Sequence, residues 1–500
     1  MKEYILKRPM LLCAVIALFT SAIGYGFKLF LILAAIVISV SLGFFIYKSN
    51  IKATTVNIML VLLLLSQFNA YTDFNKLSAF AENKTTASFV VYNLETNRSG
   101  LTFADIQVTD SDLLEKGTRV SVIYSGSELE LGDNATAVLY LKALDKDYKT
   151  LTLSKNIYLR ANMYECEINS ENKDFVLSRV GKIRNYIKTT LYKYMESEAV
   201  STVNALLLGD DSGFSSVFKI AIRRSGVSHI MVVSGMHLAI FVSILLYLIN
   251  KFFYNRFAKA LVMLTAILIV SALCGFTMSI LRAGFMYLLL SLGLCLGRDT
   301  NSENILGAAV SVILIFSPFA FLSVGFLLSV LSTFGILSVA IPITKYLNEN
   351  SNSKLLLSVA SLLLITFSAT LLTLPVIIWF YGEVSTVSLI TNLLITSLVT
   401  PVFWLALSGL VLNLLFPFLA NLVFSVCEEL VLFINNIISV FGTLKFSTVN
   451  TPKIYAYLSV LVIFDVFYLL LACKRRKDML KLKEINENII KEGGGRLKWQ

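Results

Sequence analysis

Three features of this 500-residue chain predict a polytopic α-helical membrane protein of about 12 spans with one small all-β domain outside the membrane. Hydrophobic residues make up 56% of the chain and charged residues 15%, with a mean hydropathy of +0.75, whereas a soluble domain carries roughly 25% charge. Uninterrupted apolar runs such as Leu29 to Tyr47, Leu261 to Leu273 and Leu355 to Phe367 recur, and about 20 apolar residues make a spanning helix. A single long polar stretch interrupts them, and its apolar residues alternate with period two, as in strands.

Residues 1–72 hold three apolar spans, Met10 to Gly26, Leu29 to Tyr47 and Ala53 to Ala70. Lys7, Arg8 and the run from Pro9 to Thr20 resemble a signal peptide, but two further spans follow at once, which favours anchored helices. Residues 73–172 read as β. Ala87 to Leu94, Leu101 to Val108, Thr118 to Tyr124 and Ala135 to Ala143 are separated by turns holding Gly100, Gly117, Gly126 and Gly132, and a five-stranded barrel or sandwich fits that spacing.

In residues 173–227 the period changes to that of a helix. Val176, Val180, Ile183, Ile187, Leu191 and Tyr194 form one stripe, opposite Arg179, Lys182, Arg184, Lys188 and Lys193. Such a helix lies in the membrane interface with its basic face toward lipid headgroups, or turns that face to DNA.

Residues 228–473 contain about nine further spans: His229 to Ile249, Ala260 to Phe276, Ser279 to Leu296, Ile305 to Pro318, Phe319 to Ile341, Leu355 to Phe380, Val384 to Leu412, Phe416 to Gly442 and Ile454 to Cys473. A basic tail, 474–500, ends the sequence. Lys2, Lys7 and Arg8, then Lys48 and Lys52, then Lys251, Arg256 and Lys259, then Arg298, then Lys345 and Lys354, and finally Lys474 to Lys477 all fall on one side of this count. The positive-inside rule therefore places both termini in the cytoplasm and the β domain outside.

The formal charge of +11 is concentrated in those loops and the tail, so it reports topology before it reports a nucleic-acid partner. The six cysteines (Cys13, Cys166, Cys274, Cys295, Cys427, Cys473) are scattered and suggest neither a disulfide framework nor a metal site.

Chemistry concentrates between Gly226 and Leu238, GlyValSerHisIleMetValValSerGlyMetHisLeu, which holds both histidines of the chain. On one helix His229 and His237 would stand about 12 Å apart in rise and roughly 80° apart in rotation, which suits no shared metal. Ser234 beside His237 lacks a nearby carboxylate and the strand-turn-helix setting of a nucleophile elbow, so no catalytic residue is assigned. Two readings of Ser234 and Gly235 stand: a helix break lining a water-filled path, or a small pair that lets helices approach. Arg282, Glu383, Asn392, Glu428, Glu429 and Asp465 are polar where lipid is expected. Arg282 meets either a phosphate or a carboxylate, Asp465 or Glu429.

Four ordered blocks identify a resemblance. AlaLeuLeuLeuGlyAspAspSerGlyPheSer, Ala205 to Ser215, carries Gly209, Asp210, Ser212 and Gly213; Arg223 and Arg224 follow, then SerHisIleMetValValSerGlyMetHisLeu. SerIleLeuArgAlaGlyPheMet around Arg282 with GlyArgAsp at Gly297 to Asp299, the run from Pro318, and LeuProValIleIleTrpPheTyrGlyGluValSer with Asn392 come after it in order. Together, from about Ala199 to Trp404, they resemble the ComEC competence family.

The resemblance implies a channel that passes single-stranded DNA into the cytoplasm during natural transformation, with an OB-like domain outside the membrane. His229, Ser234, Gly235, His237, Arg282 and Asn392 are the pathway residues it points to. It also implies partners: membrane lipid, a DNA receptor, a separate nuclease and a cytoplasmic helicase or ATPase, and it allows a homo-oligomer. No cofactor or metal is called for. A disulfide common in the family's outer domain cannot form, because Cys166 is the single cysteine there. The metallo-β-lactamase-like domain of longer members is not expected, since the sequence ends soon after Lys477 and two histidines cannot build its metal cluster. Without the resemblance, midplane charges and a broken helix would suggest a secondary transporter of a small polar or anionic solute. One count opposes DNA capture by the outer domain: about 15 acidic side chains against about 10 basic ones, where a phosphate surface is basic. Stacking from Phe89, Tyr92, Phe103 or Tyr124 is the other route to a strand.

Overall fold

The structure, a computed structural model, describes residues 10, 13–14, 51–96, 102–124, 129–144, 149, 152–169, 173–231, 235–252, 255–295, 301–350 and 354–463. The second predicted span, nearly all of the first, Ser234, Asp465 and the basic tail lie outside the described residues.

Helix α1 (Ile51–Ser78) leads into five strands: β1 (Lys84–Thr96), β2 (Thr102–Ser111), β3 (Arg119–Tyr124), β4 (Asn134–Lys142) and β5 (Leu159–Asn169). They close a small barrel in the order β1-β2-β3-β5-β4, antiparallel throughout except for the parallel pair β3 and β5. Alternation drives closure. On β4, Ala135, Ala137, Leu139 and Leu141 point inward to meet Phe89, Val91, Ile106, Val120, Val122 and Leu159, all buried. Each large apolar side chain buried this way contributes roughly 1.5–3 kcal/mol. On β5, Glu165 takes a left-handed conformation (φ 49°) where the pairing with β4 shifts between Thr136 and Val138, a bulge that interrupts the alternation.

The barrel rests on the helices through specific contacts. Asn156 donates to the Phe316 carbonyl (2.9 Å) and to Ser317 Oγ (3.2 Å), and Tyr158 sits edge-on between Phe74 and Phe319. Gly132 (φ 87°) lies so close to helix α2 (Phe175–Tyr194) that a Cβ there would stand 2.6 Å from the Ser178 nitrogen.

Helix α2 begins on Asp174, whose carboxylate accepts from the Leu177 N–H at 2.9 Å. Its residues Leu191 and Thr190 are buried, while Phe175, Val176, Ile183 and Tyr192 are exposed beside Arg179 and Lys193. After it come α3 (Ser197–Leu208), α4 (Ser216–Ser225), the single turn α5 (Ser228–Met231), α6 (Gly235–Phe252), α7 (Arg256–Leu273), α8 (Met278–Cys295) and α9 (Ser302–Phe316). Helix α10 (Val324–Gly335) runs through a π-helical segment (Ile336–Ala340) into α11 (Ile341–Asn350). The wide turn precedes Pro342, which has no N–H and would crowd the carbonyl one turn back. The helix therefore continues past Ile341, where the sequence had predicted its end. Helix α12 (Lys354–Tyr381), strand β6 (Glu383–Ser385), α13 (Ser388–Leu415), α14 (Pro417–Thr443), strand β7 (Thr448–Asn450) and α15 (Ile454–Ile463) complete the described chain.

Among the described residues four helices are long and apolar enough to cross a membrane: Val324–Asn348, Leu357–Tyr381, Ser388–Leu415 and Pro417–Thr443. Shorter apolar helices occupy Gly235–Tyr247, Phe257–Leu273, Ser279–Gly293, Ser302–Phe316 and Ile454–Ile463. Each of the predicted stretches after Ser228 overlaps one of these. Small residues let them approach: a Cβ on Gly335 would stand 2.5 Å from the Ser368 carbonyl oxygen, and one on Gly409 2.8 Å from the Phe424 ring.

Candidate functional site

The first block of the site, residues 209–215, is a turn in which Asp210, Ser212, Gly213 and Ser215 all have partners. Gly209 ends α3 in the left-handed conformation (φ 71°) that a glycine adopts without strain. Asp210 then accepts from the Ser212 hydroxyl (2.6 Å) and N–H (3.1 Å) and pairs with Lys188 of α2 at 2.5 Å. Burial alone would raise its carboxyl pKa, but the Lys188 charge and hydrogen bond together with Ser212 outweigh it and hold the group down to about 2. The Gly213 carbonyl accepts from Ser201 Oγ (3.1 Å), and a Cβ there would stand 2.6 Å from that oxygen. Ser215 caps α4 by accepting from the Phe218 N–H at 3.1 Å. This family motif joins α2, α3 and α4.

The second block joins sequence segments far apart. Gly226 ends α4 at φ 79° and lies against β6 and the start of α13, where a Cβ would meet Ser388 at 2.5 Å. Thr391 donates to the Ser225 carbonyl (2.6 Å), and next to it the buried Asn392 keeps its Oδ1 without a hydrogen-bond partner among the described residues. Arg223 and Arg224, in the last turn of α4, face Glu383 at 3.8 and 4.0 Å. Glu383 is therefore held at this junction.

The third block is the apolar interior around Arg282. Helix α6 begins at Gly235, and a Cβ there would lie 3.2 Å from Arg282 Nη2 and 3.3 Å from the Ala283 Cβ. Arg282 is 5% exposed, and its guanidinium donates from Nε to Ser329 Oγ (2.9 Å) of α10 and from Nη1 to Met286 Sδ (3.4 Å). Among the described residues no carboxylate reaches Arg282: Asp465, one of the two considered, lies outside the described residues, and the alternative pairing with Glu429 is not formed. Glu428, next to it on α14, instead accepts from the Glu196 N–H (2.6 Å) at the start of α3. A cation buried without a carboxylate is costly unless an anion visits it.

The two histidines belong to different elements. His229 is exposed on α5, whereas His237 is buried on α6 with its ring 5.7 Å from that of Phe403 on α13. The structure thus brings Gly235 against Arg282, leaves His237 further along α6 against Phe403, and puts Arg223, Arg224 and Asn392 near the α4 and α13 junction. Ser234 lies outside the described residues. Sequence reading missed Ser329 and Met286, whose types carry no signal, and the Arg223, Arg224 and Glu383 grouping. Of the aromatic residues considered for stacking, Phe89 is barrel core and Tyr92, Phe103 and Tyr124 are half-buried, whereas Tyr140 and Tyr164, which the sequence reading did not single out, are exposed on β4 and β5. Among the described residues no three metal-ligating side chains cluster.

Long apolar helices closing around a buried arginine, with a barrel docked on their turns, define an integral membrane protein of the helical class. A family model described as "Competence protein" matches residues 206–476, more than half of the chain, and the chain belongs to that family, the ComEC competence proteins. It is similar to "ComE operon protein 3" of Bacillus subtilis (strain 168), with 22% identity over 333 residues, 66% of this chain and 41% of that relative. The chain thus spans about two fifths of that relative's length. No solved structure matches it.

Proposed function

We propose that this competence protein is a channel passing single-stranded DNA across the bacterial cytoplasmic membrane, through about 12 spans with both termini in the cytoplasm. The observation that carries the reading is Arg282: a buried guanidinium held by a neutral hydroxyl and a thioether, against the glycine that opens α6. A phosphodiester can pass such a group because it is attracted without being locked by a full set of donors. Gly235, His237 and Arg282 line the path, with Ser234, His229 and Asn392 flanking it, and no catalytic residue or cofactor takes part. The closed barrel in the order β1-β2-β3-β5-β4 supports an OB-like domain, facing outward, that guides the strand or binds a receptor. A separate nuclease supplies the single strand, a cytoplasmic helicase or ATPase draws it in, and the exposed apolar face of α2 rests on lipid.

A secondary transporter for a small anion is favoured by the same arginine. Deleting the gene and measuring surface-bound and internalised DNA separately distinguishes the two. Loss of internalisation with retained surface binding is expected; undiminished internalisation would overturn the channel.

A further inference from the structure

The junction between α4 and β6 holds an ion pair of unusual form. Arg223 Nη2 lies 3.8 Å from Glu383 Oε1, and Arg224 Nε lies 4.0 Å from Glu383 Oε2, both beyond hydrogen-bond length. Two guanidinium forks share a single carboxylate that satisfies neither. The arginine side chains are each 45% exposed and Glu383 is 24% exposed, and Oε2 is buried with no hydrogen-bond partner among the described residues. Beside it, Ser385 Oγ and Thr451 Oγ1 are likewise buried without partners, and the Thr451 N–H fixes the strand end by donating to the Gly382 carbonyl at 2.8 Å. An Arg–carboxylate pair built for stability would be bidentate at about 2.7–2.9 Å. This one leaves its donors available on one side and its hydroxyls on the other.

Position adds a second argument. Arg224 precedes Gly226 by two residues, and the segment from Gly226 leads into α5 and then to Gly235, which faces Arg282. Planar guanidinium forks recognise phosphate oxygens in pairs, so a phosphate at the mouth of that segment finds two forks whose present partner holds them loosely. We propose that Arg223 and Arg224 form a phosphodiester exchange site, at which a phosphate of the single strand displaces Glu383 and Glu383 returns when the phosphate moves on. The carboxylate acts as a built-in competitor that keeps the strand from being trapped, the requirement for conduction through any charged constriction. No bond is made or broken. This inference rests on the single-stranded DNA reading above.

The alternative is a plain structural pairing, with two arginines completing the C-terminal end of α4 and Glu383 fastening β6 to it. Binding of a fluorescent oligothymidylate to the full chain in lipid nanodiscs separates them, read over a range of salt and alongside thermal unfolding. Glu383→Gln is expected to tighten binding several-fold, because it removes the competitor and preserves shape. The double change Arg223→Gln and Arg224→Gln should weaken binding and reduce the slope of log affinity against log salt by roughly 0.7, the share of the one phosphate no longer neutralised. Should that variant fail to fold, Arg223→Lys with Arg224→Lys keeps the charge and is expected to lose affinity while keeping the slope. If Glu383→Gln leaves binding unchanged and only lowers the unfolding temperature, the site is a structural clasp and the exchange is wrong. If the wild-type chain binds no oligothymidylate at all, the DNA reading itself fails and the exchange site falls with it.

Discussion

The turn at 209–215 and the interior around Arg282 both belong to the competence domain and both are rich in polar residues, yet they are built in opposite ways. In the turn, Asp210 has Lys188 and Ser212, Gly213 has Ser201, and Ser215 has the Phe218 N–H. Around the start of α6, Arg282 has one hydroxyl and one sulfur and, among the described residues, no carboxylate. A polar group left short of partners in an apolar interior costs roughly 1–3 kcal/mol, and more if charged. Folding alone gives no reason to keep such groups. The satisfied block is fixed by its own bonds, whereas Arg282 keeps donor capacity that, on the channel reading proposed above, a polar cargo would complete.

That contrast is broken most readily at Arg282. Arg282→Leu should reduce internalised DNA to background while the protein accumulates in the membrane at its normal level, as quantified by immunoblot and by labelled-DNA uptake. Loss of the protein together with uptake would instead make Arg282 part of the architecture.

The next largest effect belongs to the turn. Gly213→Val puts side-chain atoms where a Cβ already stands 2.6 Å from Ser201 Oγ, an overpacking that costs about 1–3 kcal/mol. Lower membrane abundance and an earlier unfolding transition are expected, with transport per molecule preserved.

Asp210→Asn should cost roughly 2 kcal/mol at neutral pH, the equivalent of a carboxyl held near 2 against an ordinary 3.8. Because the folded pKa is the lower one, this stability is complete above about pH 4 and is lost as pH falls toward 2. Unfolding temperatures of wild type and variant should differ at pH 6 and converge near pH 2. A gap that persists in acid would mean the ion pair with Lys188 is not its source.

The smallest effect is expected on the barrel surface. Tyr164→Ala removes a side chain that is 56% exposed on β5, so stability should change by no more than about 0.5 kcal/mol. A drop in DNA capture without a drop in stability would mark the β4 and β5 face as a stacking surface.

The sequence made some of this legible and hid the rest for physical reasons. Inward alternation on β1 to β4 is carried by runs such as Ala135, Ala137, Leu139 and Leu141. In β5 the bulge at Glu165 breaks the period and only Leu159, Ala161 and Met163 alternate into the core ahead of it, so no run could be seen. The amphipathic stripe of α2 announced a helix, and in the structure Asp174 caps it. Partnerships across long separations left no trace: Arg223 and Glu383 are 160 positions apart, and the close approach of Gly226 to Ser385 and Ser388, with the Thr391 bond to the Ser225 carbonyl, brings them together. Arg282 was legible as an anomaly because charge is costly in lipid, but its neutral partners were not.

The central claim, that the start of α6 lines a water-accessible passage for a phosphate chain, is tested most directly by cysteine accessibility. With the six native cysteines replaced, His237→Cys and Ser234→Cys should react with a membrane-impermeant charged thiol reagent, and bound single-stranded DNA should slow the reaction. Cysteines that resist labelling, with or without DNA, would show that this segment packs helices together and that the strand passes elsewhere.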